Sequence, residues 1–124
     1  FISNKQLFPM AFDQNDTFLK DHEVITNTRE SEQIKTIGKR IATAAQKYFD
    51  YKGTPNILKD YAWEYNLGKD ELVNAWCMQG GKIVFYTGIL PIAQNADGVA
   101  VIMGHEVAHA LAEYVGQRMS AGLT

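Results

Sequence analysis

The sequence has a single cysteine, Cys77, so no disulfide can form within the chain and a secreted scaffold held by several bridges is excluded. Only three prolines occur in 124 residues, and there is no Pro/Gly/Ser linker, low-complexity tract or internal repeat, so we read one compact unit. No apolar run approaches the ~20 residues that a transmembrane helix needs. Lys and Arg form no block along the chain, and the formal net charge of −2 gives no reason to expect nucleic acid or an anionic membrane as a partner. A signal peptide is missing too, and the chain opens on Phe1 rather than Met, as a processed or trimmed product would.

What is present is enough for one hydrophobic core, with 46% hydrophobic and 21% charged residues. From Glu30 to Phe49 the residues Ile34, Ile37, Ile41, Ala45 and Tyr48 recur at three and four, which predicts an amphipathic helix capped among Asn27, Thr28 and Ser31. Residues 61–67 alternate, with Tyr61, Trp63, Tyr65 and Leu67 on one side, and predict a strand. Apolar-rich runs at 72–79 and 82–86 flank Gly80-Gly81, a pair that accepts the positive φ of a tight hairpin. A short helix is expected around Ile89 to Ala93, with Pro91 in its first turn, and a long one from Asp97, as cap, to Met119. Residues 1–29 read poorly: the polar run Asp13-Gln14-Asn15-Asp16 predicts a turn, followed by a short helix or strand.

Inside the last helix lies His105-Glu106-Val107-Ala108-His109. Four residues of α-helix turn ~400° and rise ~6 Å, so the two imidazoles share one face and can reach one Zn²⁺. Glu106 is turned ~100° from His105, within reach of a water held on that ion, from which it can take a proton as the water attacks a carbonyl. The motif is bracketed by Ile102, Met103, Val107, Ala110 and Leu111, a setting in which ionisable groups need partners. Glu113, the one carboxylate after His109, stands ~12 Å of rise from His105 and cannot join the same ion on a straight helix. His22 reads as a solvated histidine, and Cys77 as a buried structural thiol.

The stretch from Asn74-Ala75-Trp76 through Gly80-Gly81-Lys82-Ile83 and Tyr86-Thr87-Gly88 to Gly104-His105-Glu106-Val107-Ala108-His109-Ala110 resembles the CAAX-prenyl-protease/HtpX-like family of gluzincin zinc metallopeptidases. Weaker similarity reaches back to Lys5-Gln6-Leu7. The resemblance implies a zincin-like α+β fold and a zinc endopeptidase acting on protein or peptide substrates, with His105 and His109 as metal ligands, Glu106 as catalytic base, and Asn74, Ala75 and Trp76 as a substrate-binding edge strand. Soluble periplasmic members are the nearest comparison, which implies a periplasmic or envelope location, including a lipid-anchored one, and a role in envelope protein quality control. The family's third ligand, a Glu well downstream of the second His, has no counterpart before Thr124, and Tyr114 stands where the family often has His.

The expectation is therefore an α+β zincin-like half-domain over residues 1–124: the N-terminal part of one peptidase domain, with one zinc per active site and a third protein ligand outside this chain. By itself it would be inactive or would grip peptides without cleaving them, and a metal-dependent hydrolase of other substrates is a further alternative. The last helix is apolar nearly all round, which predicts self-association or pairing with the missing C-terminal part.

Overall fold

Helix α1 spans Asn4–Asp21 and runs straight through the polar stretch that predicted a turn. The structure, a computed structural model, describes residues 3–122; Phe1, on which the chain opens, and Thr124, on which it ends, lie outside the described residues. Phe8, Ala11 and Asn15 are buried along one side of α1 while Asp13, Gln14 and Asp16 face solvent, so the polar run is the outer surface of a helix. One member of the inner stripe is polar, which broke the apolar period: buried Asn15 donates from Nδ2 to Glu64 Oε2 at 2.9 Å.

Strand β1 (Val24–Ile25) follows, and then α2 (Arg29–Tyr51). The cap of α2 falls among the three expected residues: Thr28 Oγ1 accepts from the Ser31 amide at 3.1 Å and the Thr28 amide donates to Ser31 Oγ at 3.0 Å. This reciprocal pair satisfies two backbone donors at once. Strands β2 (Glu64–Gly68), β3 (Ala75–Met78) and β4 (Lys82–Tyr86) complete a four-stranded sheet of order β1-β2-β4-β3. It is mixed: β2 and β4 run parallel, whereas β1 with β2 and β3 with β4 run antiparallel. The β3–β4 hairpin turns on Gly80 and Gly81 at φ of 86° and 91°, left-handed values that carry no Cβ penalty at glycine.

A short 3-10 turn at Thr87–Ile89 leads into α3 (Leu90–Ala93), with Pro91 in its first turn, and then into α4 (Ala96–Ser120). The cap of α4 is Asn95 rather than the expected Asp97, because Asn95 Oδ1 accepts from the Gly98 amide at 3.0 Å. Asp97 sits in the first turn, where its charge suits the helix dipole.

Side chains alternate across the sheet. Val84, Trp76 and Lys82 face α1: the Phe18 ring meets Trp76 edge-on at 5.6 Å, and Lys82 Nζ stands 4.6 Å over the Phe12 ring. Ile83, Phe85, Leu67 and Ala75 face the other way, into a core shared with Ile34 of α2 and Met103 and Val107 of α4. The two long helices thus lie side by side on one face and α1 lies on the other. On its pattern alone α4 is too apolar for one sheet and calls for a further partner. Within this chain α2 supplies much of that cover: Met103 and Val107 are buried and Ile102, Leu111 and Val115 half-buried, leaving Val101 at 72% exposure.

Candidate active site

The five-residue motif occupies the middle of α4. Met103, Val107 and Ala110 anchor the helix in the core, which leaves His105 and His109 exposed and Glu106 half-buried. The apolar residues around the motif therefore do not enclose the histidines, as the sequence context had suggested, because a helix of period 3.6 sorts them onto another face. Neither ring enters any side-chain hydrogen bond or ion pair among the described residues, the only bonded histidine there being His22. Two imidazoles one turn apart with free nitrogens, beside a carboxylate, make a donor set that suits zinc. The set is incomplete: among the described residues no three His, Cys, Asp or Glu side chains gather closely enough to hold a metal ion.

Strand β3 lies at the sheet's margin, paired with β4 on one side and with no strand on the other. The Tyr86 amide donates to the Asn74 carbonyl at 3.0 Å, so Asn74 and Tyr86 form a hydrogen-bonded antiparallel pair. Such pairs alternate with pairs whose backbone groups point away from each other. It follows that Asn74, Trp76 and Met78 turn their N–H and C=O groups toward β4, while Ala75 and Cys77 turn theirs to the free margin. Of the three residues expected to form the edge, the structure places Ala75 and Trp76 in β3 and leaves Asn74 just before it, and only Ala75 has outward backbone groups. The Trp76 side chain is engaged with α1 instead. Cys77, expected only as a structural thiol, has the second outward pair; the hairpin register fixed by Gly80-Gly81 is the signal that identifies it.

Between α1, the end of β3 and α4 runs a groove of about 300 Å³. Glu106, His109 and Glu113 lie along one wall, at spacings of three and four on α4. Leu7, Met10 and Ala11 of α1 form the opposite wall, with Cys77, Met78 and Gln79 between them. The Cys77 thiol is half-buried, and burial together with the neighbouring Glu106 charge pushes its pKa up to about 12. That keeps it a neutral thiol, in line with a structural role. Gln79 ties the hairpin to the motif helix: its Nε2 donates at 3.2 Å to the carbonyl of Ala110, next after His109. Tyr114 is buried at 1% exposure, and its hydroxyl accepts from Asn4 Nδ2 at 2.7 Å, fastening the start of α1 to α4. His22 is not the solvated residue expected. Its ring stacks on Phe18 at 3.8 Å and its Nε2 lies 3.2 Å from Asp70 Oδ2, which pins the end of α1 to the loop before β3.

The model of peptidase family M48 matches residues 28–124, and the chain belongs to that family. It is 35% identical over 90 residues to the mitochondrial metalloendopeptidase OMA1 of Saccharomyces cerevisiae, covering 71% of this chain and 26% of that protein. It is also 33% identical over 63 residues to the OMA1 of Schizosaccharomyces pombe, with 51% and 19% covered, and 38% identical over 66 residues to that of Arabidopsis thaliana, with 53% and 14% covered. The chain thus spans about a quarter or less of the length of these relatives. No solved structure matches it. The relatives are named as mitochondrial, which overturns the periplasmic or envelope location drawn from the resemblance. That inference leaned on the lack of an apolar span; no described helix is long and apolar enough to cross a membrane, a fact that carries no information about compartment.

Proposed function

We propose that this chain carries the catalytic helix and the substrate-binding strand of a zinc-dependent endopeptidase, as the N-terminal part of a single peptidase domain. The observation that carries the reading is the pair of unengaged imidazoles of His105 and His109, one turn apart on α4, with Glu106 beside them and sharing with His109 the wall of the groove next to β3. His105 and His109 would hold the metal, and a further ligand comes from another part of the longer protein. Zinc, when bound, supplies Lewis acidity toward a carbonyl oxygen and toward water. Ala75 and Cys77 orient an extended peptide by pairing their outward N–H and C=O groups with its backbone. Glu106 takes the proton of the attacking water on a carboxylate oxygen and returns it to the leaving amine nitrogen, which lets one side chain serve as base and then as acid.

The test is protein digestion by the full-length protein with and without a chelator, followed by zinc readdition. Loss and recovery of cleavage are expected; cleavage indifferent to the chelator would refute the metal-dependent reading. By calorimetry the present chain should bind zinc weakly or not at all, since a two-imidazole site lacks the ligand number of a closed one. Tight stoichiometric uptake would mean that a third ligand lies among these residues.

A further inference from the structure

Glu113 has no part in the reaction as derived, yet it lies on the groove wall one turn beyond His109. It is exposed and enters no ion pair among the described residues. Nearby, the orientation of the Gln79 amide is fixed, because only its nitrogen can donate to the Ala110 carbonyl. Its Oε1 is left out of solvent and without a hydrogen-bond partner. A solvent-excluded acceptor without a donor is uncommon and asks for one. The groove lining therefore offers the carboxylates of Glu106 and Glu113 beside Gln79, contains no Lys or Arg, and faces them with Leu7, Met10 and Ala11 of α1, followed by the single polar residue Gln14.

A mostly apolar wall opposite a row of acceptors fits one kind of side chain: a long methylene stem ending in a cation with several N–H donors. We propose that the groove between α1 and α4 is a specificity subsite for a Lys or Arg side chain of the peptide, with Glu113 as its charge partner and Gln79 Oε1 as a second acceptor. This rests on the peptidase reading for its substrate but not for its chemistry. The flexible Leu7, Met10 and Met78 side chains can shift to admit the stem and bring its head to the buried Oε1.

The test uses full-length protein and peptides identical but for one residue, varied in turn at each position near the scissile bond among Arg, Lys, norleucine and Glu. At one position the Arg or Lys peptide should exceed the norleucine peptide in kcat/KM by about tenfold or more, the size expected of a charge-assisted hydrogen bond. Glu113→Gln should bring that ratio close to one, and Glu113→Lys should turn it in favour of Glu. No cationic preference in the wild type, or a ratio unmoved by Glu113→Gln, would overturn the proposal. If the protein cleaves none of the peptides, the endopeptidase reading falls by itself. Fluorescence anisotropy of the same peptides, labelled, on full-length Glu106→Gln protein then decides the subsite: the same tenfold preference and its loss with Glu113→Gln sustain it, and equal affinities overturn it.

Discussion

The groove has two helical walls of opposite character. Helix α4 bears the chemistry, and its pattern is strong because metal ligation demands fixed residue types at a fixed spacing. Helix α1 bears none: it shapes the groove and is held by aromatic packing of Phe8 against Tyr61 and Tyr114, at centroid distances of 5.4 and 5.5 Å, and by the bond from Asn4 to Tyr114. A reacting helix is constrained by its side chains one at a time, whereas a covering helix is constrained only by the surface it meets. Substitution of the motif residues on α4 should therefore cost activity with the fold intact, whereas substitutions that loosen the packing of α1 should cost stability.

The largest effect tests the first half of that contrast. Glu106→Gln in the full-length protein should reduce peptide hydrolysis ~10²–10⁴-fold, the usual loss for a general base, with an unchanged melting temperature. A variant as active as the wild type would make Glu106 structural and erase the difference between the walls. Next, Phe8→Ala removes a ring at 3% exposure and should destabilise the chain by about 3–5 kcal/mol in urea unfolding. A neutral result would mean that α1 is not docked in solution. Tyr114→Phe keeps the ring but deletes the acceptor for Asn4 Nδ2, which retains Asp60 Oδ2 at 3.1 Å, so about 1 kcal/mol should be lost. A loss as large as that of Phe8→Ala would show that the walls are joined by this bond more than by aromatic packing.

The smallest effect concerns alkaline pH. Burial raises Cys77 from 9.0 to about 12 and Tyr65 from 10.0 to about 12. As pH rises above ~9 the unfolded chain releases protons that the folded chain still holds, so stability falls with pH until the folded groups themselves ionise near 12; below ~8 these groups give no slope. Urea midpoints should thus be lower at pH 10 than at pH 8, and the drop should shrink in Cys77→Ala. An equal drop in that variant would place the Cys77 thiol in solvent rather than against α4.

Much of the α2-to-α4 region was legible because local chemistry dictates it. The apolar spacing of three and four from Ile34 to Ala45, the Thr28–Ser31 cap, the Gly80-Gly81 turn and Pro91 each act over a few residues and shaped their elements as expected, although the stripe's last member, Tyr48, is exposed and Phe49 is buried in its place. The two spaced histidines with Glu106 between them were legible for the same reason. Helix α1 was not, since Asn15 is buried only because Glu64, far away in sequence, meets it, and no local rule reveals that partner.

By itself, then, the sequence determined the helix and hairpin segments, the one-turn spacing of His105 and His109, and the side of that helix on which Glu106 falls, because each depends on backbone geometry within a few residues. Tertiary structure decided the rest. The β2–β4 pairing leaves β3 at the margin, register turns Ala75 and Cys77 rather than Asn74 outward, and α1 makes a groove of Glu113 and Gln79. Those outcomes depend on contacts between residues distant along the chain, whose joint packing no local pattern encodes.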